Sequence, residues 1–124
     1  MKVDVSIGEL VDKVTILSIK SERITDQQKL QNIRKELDIL KTSMHSAGIK
    51  EDSPEYQKLY EINATLWDIE DAIREKEANQ IFDKDFIDLA RSVYFNNDDR
   101  AAVKREINRK FGSDIVEEKS YSSY

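Results

Sequence analysis

Two short runs carry more polar chemistry than the apolar residues around them require. In Ser6-Ile7-Gly8-Glu9-Leu10-Val11-Asp12-Lys13-Val14-Thr15, the charges of Glu9, Asp12 and Lys13 sit among residues that a broad apolar helix would bury. The second run, Leu89 to Arg100, supplies Arg91, Tyr94, Asn97 and Arg100, with Lys104 just beyond it. A carboxylate in an apolar setting is a candidate general acid or base. An arginine offers a planar fork for a carboxylate or a phosphate. If the two runs line a cleft, Glu9 or Asp12 would be the acid or base, and Arg91 and Arg100 would clamp a small anion such as a sugar phosphate or nucleotide sugar. If they meet each other, Glu9 or Asp12 pairs with Arg91 or Arg100 and fixes how two helices dock. The second outcome is the expectation, because a small helical domain often gains specificity from one such pair.

Elsewhere the chain offers little to reaction chemistry. The absence of Cys excludes a disulfide framework, a thiolate metal site and a cysteine nucleophile. The single His45 falls near a helix end, where the dipole favours a cation, and one His without a Ser–His–Asp arrangement argues against a catalytic triad. Asp83-Lys84-Asp85-Phe86-Ile87-Asp88 lacks the glycine and distal Glu of a calcium loop and reads as a helix start. Glu70, Asp71, Glu75 and Glu77 belong to a solvated face, and no Glu-x-x-His pair exists to build a di-iron site. No metal and no cofactor is expected.

Charge is unevenly spread over the 124 residues, whose 20 Lys+Arg and 25 Asp+Glu leave a net charge of −5. Basic residues gather in Arg100–Lys110 and acidic ones in Lys50–Arg91. The acidic whole, and the lack of a helix-turn-helix pattern with Gly before the basic stretch, argue against nucleic-acid binding. Docking of the basic helix on the acidic segment, within or between chains, is the better use of that asymmetry.

The elements that must position these groups are long, since one Pro and three Gly punctuate the whole chain. Met1–Ser6 reads as an extended arm. Ser6 then caps a helix, with Glu9 placed to reach back in a capping box. Ile7, Leu10, Val14, Leu17 and Ile24 share one face, and Val11, Ile16 and Ile19 broaden it. Gly8 lowers helix stability in the first turn but lets another group approach the backbone closely.

Leu30, Ile33, Leu37, Leu40 and Met44 form a coiled-coil seam, opened by Asp26 and closed by Gly48 in the Ser46–Ser53 loop. Ser53-Pro54 restarts a helix in which Leu59, Ile62, Leu66, Ile69 and Ile73 repeat the spacing, flanked by Tyr56, Tyr60 and Trp67. With no breaker before Asn79 it runs about 25 residues, near 38 Å. These two seams predict an all-α fold built on a long antiparallel helical hairpin with shorter flanking helices. Asp83 or Asp85 starts a shorter helix carrying Phe82, Phe86, Leu89 and Val93 on one face. Asn96-Asn97-Asp98-Asp99 breaks it, and a last helix with Val103, Ile107 and Phe111 inward ends at Gly112. The tail, residues 113–124, has no helical period; Ile115 and Val116 pack back on the body or pair with the Val3–Val5 arm. The whole reads as one helical domain, 1–124.

Unless the first and fourth helices cover those faces within one chain, two long seams and the Tyr56–Tyr60–Trp67 surface imply a partner, and a second copy across a two-fold axis, the expected outcome, is the simplest one. The longest uncharged stretch, Thr42 to Ile49, is far short of the roughly 20 residues that span a bilayer. Asp4, Glu9 and Asp12 interrupt the early apolar run, so no signal peptide is expected and the cytoplasm is the default compartment.

The two polar runs also carry a resemblance. Val5 to Lys20, then Leu89-Ala90-Arg91-Ser92-Val93-Tyr94, Asn97-Asp98-Asp99-Arg100, Lys104-Arg105-Glu106-Ile107-Asn108 and Ile115 to Tyr121, are similar to an uncharacterised family of short helical proteins of bacteria and their phages. The resemblance covers nearly the whole chain and implies company with glycosyltransferase or surface-polysaccharide genes. It implies no catalytic residue, only that both polar runs matter together. The heptad arms and the lack of a nucleophile or metal set make the expected role that of a non-enzymatic helical interaction or accessory protein that works by self-association and docking.

Overall fold

Four helices carry the chain, and a short polar side chain opens each one. In the computed structural model, which describes Met1–Tyr124, α1 spans Ile7–Arg23, α2 Gln27–Ser46, α3 Pro54–Ala78 and α4 Lys84–Lys110, with no strand. Ser6, Asp26, Ser53 and Asp83 each accept a hydrogen bond from the amide three residues on, at 2.9–3.3 Å. Each such cap contributes about 1 kcal/mol. The ends are equally regular. Ile49, Ile81 and Ser113 each donate back to the carbonyl five residues earlier, around a residue of positive φ. That residue is Gly48 and Gly112 at two ends but Gln80 (φ 55°) at the third, where a side chain bears the left-handed strain.

Helix α1 is the centre of the fold and packs against all three other helices. The shared core joins Val11, Val14 and Leu17 of α1 to Leu37 and Met44 of α2, Tyr56 and Leu59 of α3, and Ile107 of α4. Leu30, Leu37 and Met44 of the α2 seam are buried, as their spacing requires.

Three expectations need correction. First, the arms of the long antiparallel hairpin are α3 and α4. The α2 and α3 backbones do not approach each other, because α1 separates them. A heptad seam shows that a face is covered, not which helix covers it. Second, α4 is unbroken through Asn96-Asn97-Asp98-Asp99 and is the longest helix at 27 residues. Asn96 donates to the Ser92 carbonyl at 2.8 Å, so its side chain joins the helix. A propensity cost of a few tenths of a kcal/mol per residue is outweighed by the residues from Arg100 onward that bind α1. Third, the arm and tail form no strand together: Val3, Val5, Ile115 and Val116 are all exposed.

The aromatic residues beside the α3 seam are also largely used within the chain. Tyr56 is buried with its hydroxyl 3.0 Å from Ser18 Oγ, and Tyr60 donates to Glu22 at 2.5 Å. The Arg23 guanidinium lies 5.8 Å from the Trp67 ring centre.

Candidate functional site

Antiparallel packing of α1 on α4 brings the two polar runs together. The approach is close because Gly8 has no side chain: a Cβ there would lie 2.5 Å from the Lys104 carbonyl oxygen. At that contact Asn108 Oδ1 accepts from the Gly8 amide at 2.6 Å, and Ser113 Oγ from the Ile7 amide at 3.1 Å. With Ser6 serving Glu9, the first-turn amides of α1 are filled by side chains.

One turn on, Asp12 is 1% exposed and meets Arg100 in a two-pronged pair. Arg100 Nε donates to Oδ1 at 2.9 Å and Nη2 to Oδ2. Asn63 of α3 adds a donor: its Nδ2 lies 2.9 Å from both Asp12 Oδ1 and Thr15 Oγ1. The bond to Asp12 holds the Arg100 guanidinium above its ordinary pKa, against the opposing effect of burial. Lys104 donates to Glu9 at 2.6 Å and to Glu117 of the tail at 3.1 Å. Burial works to lower the Lys104 ammonium, but these bonds outweigh it and its pKa is raised.

Of the residues singled out in the sequence, Glu9, Asp12, Arg100 and Lys104 therefore converge, and they converge on one another. Lys13 is exposed and has no ion-pair partner. Arg91 is exposed and reaches only Tyr94, at 3.3 Å, and the Phe95 ring. Arg91 and Arg100 are nine residues apart, about two and a half turns, so an unbroken helix points them to opposite sides. Tyr94 turns instead to the tail, where Tyr124 lies 5.0 Å from both the Tyr94 and Phe95 rings and donates to Asp98. Asn97 borders the cleft described next.

Sequence reasoning missed several members of the site. Asn63 sits on the three–four spacing Tyr56–Leu59–Asn63–Leu66, and a polar residue in that register was the available signal. Asn108 and Ser113 carried no local signal, because their partners lie 100 and 106 residues away. Lys110 pairs with Glu55 in the first turn of α3, and that bond lowers the Glu55 carboxyl, whose Oε2 is buried without a partner. His45, exposed at the end of α2, pairs with Glu51 at 2.7 Å.

Beyond Asp12 and Arg100, α1, α3 and α4 diverge around an open cleft of about 500 Å³, with Ile16, Ile19, Leu66 and Val93 as its apolar lining. No group of three or more His, Cys, Asp or Glu side chains is placed to hold a metal ion. No helix is long and apolar enough to cross a membrane.

Fold and site together define an all-α protein whose acidic and basic clusters close on each other around a glycine contact. The chain belongs to the family of unknown function DUF6165, whose family model matches residues 1–124. No curated protein and no solved structure matches it.

Proposed function

We propose that this chain is a single-domain, non-enzymatic docking protein that acts in the cytoplasm as a homodimer. One observation carries the reading. The shared core draws on α3 no further than Tyr60 and on α4 no earlier than Val103. The far end of the hairpin stands clear of that core and leaves Ile81, Phe82 and Ile87 between 43 and 54% exposed. A hairpin end of this kind meets its own copy across a two-fold axis as a four-helix bundle.

The commitment of the polar residues supports the same reading. Asp12 and Glu9, the candidate acids and bases, are held by Arg100 and Lys104. Within Arg100–Lys110, Arg100, Lys104 and Lys110 are paired to carboxylates of the chain, which leaves little of that stretch for a nucleic-acid backbone. An accessory protein of bacterial or phage surface-polysaccharide assembly, as the resemblance implies, would act by docking of this type.

Sedimentation equilibrium from low to high micromolar concentration tests it. The expected result is a monomer–dimer equilibrium that Phe82→Asp combined with Ile87→Asp abolishes, with an unchanged helical circular-dichroism spectrum. A wild-type chain that stays monomeric at high micromolar concentration overturns the proposal.

A further inference from the structure

We infer that the cleft between α1, α3 and α4 binds a neutral polyhydroxylated ring, a pyranose sugar, against Trp67. This rests on none of the residues assigned to self-association. Its volume of about 500 Å³ lies within the range of small-molecule sites, and it combines an apolar lining with convergent polar groups.

The decisive group is Asn63. It is 6% exposed, lines the cleft, and faces a carboxylate that can only accept. Its Nδ2 must therefore point at Asp12. Its Oδ1, which accepts no bond within the chain, is the atom left for the cleft. Asn63 Oδ1 and the Glu70 and Asp71 carboxylates ask a ligand for donors. Asn97, Arg74 and the unused N–H groups of Arg100 ask it for acceptors. A hydroxyl supplies both from one atom. A sugar ring adds a C–H face for the indole of Trp67, which lines the cleft.

Charge decides against an anion. Arg100 is neutralised by Asp12, and Arg74 by Glu70 at 3.2 Å, so Asp71 is the uncompensated charge on the rim. A phosphate would meet that carboxylate without gaining a free cation. The chemistry favours an uncharged sugar over the sugar phosphate or nucleotide sugar that the separate residues first point to.

Trp67 is the only tryptophan, so its emission reports on the cleft directly. The test titrates the full chain with glucose, N-acetylglucosamine and maltose, with glucose 6-phosphate as the charged counterpart. At the affinity open to a dozen or so heavy atoms, a saturable change with a dissociation constant in about the millimolar range is expected. Asn97→Ala and Asp71→Asn, which leave the Asp12–Arg100 pair intact, should each weaken it at least about fivefold. Glucose 6-phosphate should bind more weakly than glucose. The inference is overturned by a linear or absent response to all three sugars, by unchanged affinity in both variants, or by tighter binding of the phosphate. Fluorescence at dilute, monomeric concentration keeps this result separate from the sedimentation result.

Discussion

The hairpin of α3 and α4 has two unlike halves. Where α1 lies across it, from Pro54 to Asp68 and from Arg100 to Lys110, charges are matched across elements: Asp12 with Arg100, Glu9 with Lys104, Arg23 with Asp68, Glu55 with Lys110. Toward the turn, Phe82 and Ile87 lie open, and Glu75, Glu77, Asp85 and Asp88 have no ion pair. The same two helices thus serve as an assembled framework at one end and as free surface at the other. Polar density alone does not mark a binding site. In the framework half it is spent on packing specificity, and the polar groups that line the cleft lie at the boundary between the halves.

Breaking the framework should cost most. Arg100→Met leaves the 1%-exposed Asp12 carboxylate unpaired and should destabilise by about 3–5 kcal/mol in chemical denaturation. Replacing both partners, Asp12→Leu with Arg100→Met, should recover most of that loss; failure to recover would show that the pair acts through more than its two charges. Gly8→Ala drives a methyl into the Lys104 carbonyl and should cost about 1–3 kcal/mol, read in the same assay.

A pH series gives a smaller effect of known sign. The bond to Glu22 raises the Tyr60 phenol from 10.0 to about 12 in the folded chain. Its stabilisation is fully present below pH 10 and lost as pH rises through about 12. It is below about 1 kcal/mol for so exposed a pair, and Tyr60→Phe removes the dependence. The Glu55 carboxyl is lowered by Lys110, so its contribution holds above pH 4.5 and disappears on acidification below that.

In the free half, Gln80→Gly relieves the left-handed backbone and should stabilise by about 0.5 kcal/mol, seen as a small rise in Tm. Phe82→Asp should change monomer stability by no more than about 0.5 kcal/mol while weakening self-association. A larger loss of stability would mean that the exposed end is not free.

Much of the framework was readable from residue order. The caps Ser6, Asp26 and Ser53, the seam of α2 and the breadth of the α1 apolar surface follow from local spacing, which left the fourth cap between Asp83 and Asp85. The contact at Gly8 could be anticipated, but not its partner. The unbroken α4 was hidden because Asn96 to Asp99 are turn formers by propensity, and long-range pairing through Arg100 overrides so weak a bias. That misreading also placed Arg91 beside Arg100, which only a bent chain permits. The cleft was illegible for a different reason: Asn63 and Trp67 of α3, Asn97 of α4 and Ile16 and Ile19 of α1 are far apart in the chain, and only the crossing of the three helices makes them neighbours.

The first turn of α1 needs Asn108 and Ser113 to satisfy its amides. On a ribosome those two residues leave the exit tunnel long after residues 7 and 8 have done so. The opening helix therefore gains its full set of protein partners only once the early and late parts of the polypeptide can meet. A stalled or shortened product lacking residues 108–113 would carry an unfinished first helix and be an easy target for proteolysis.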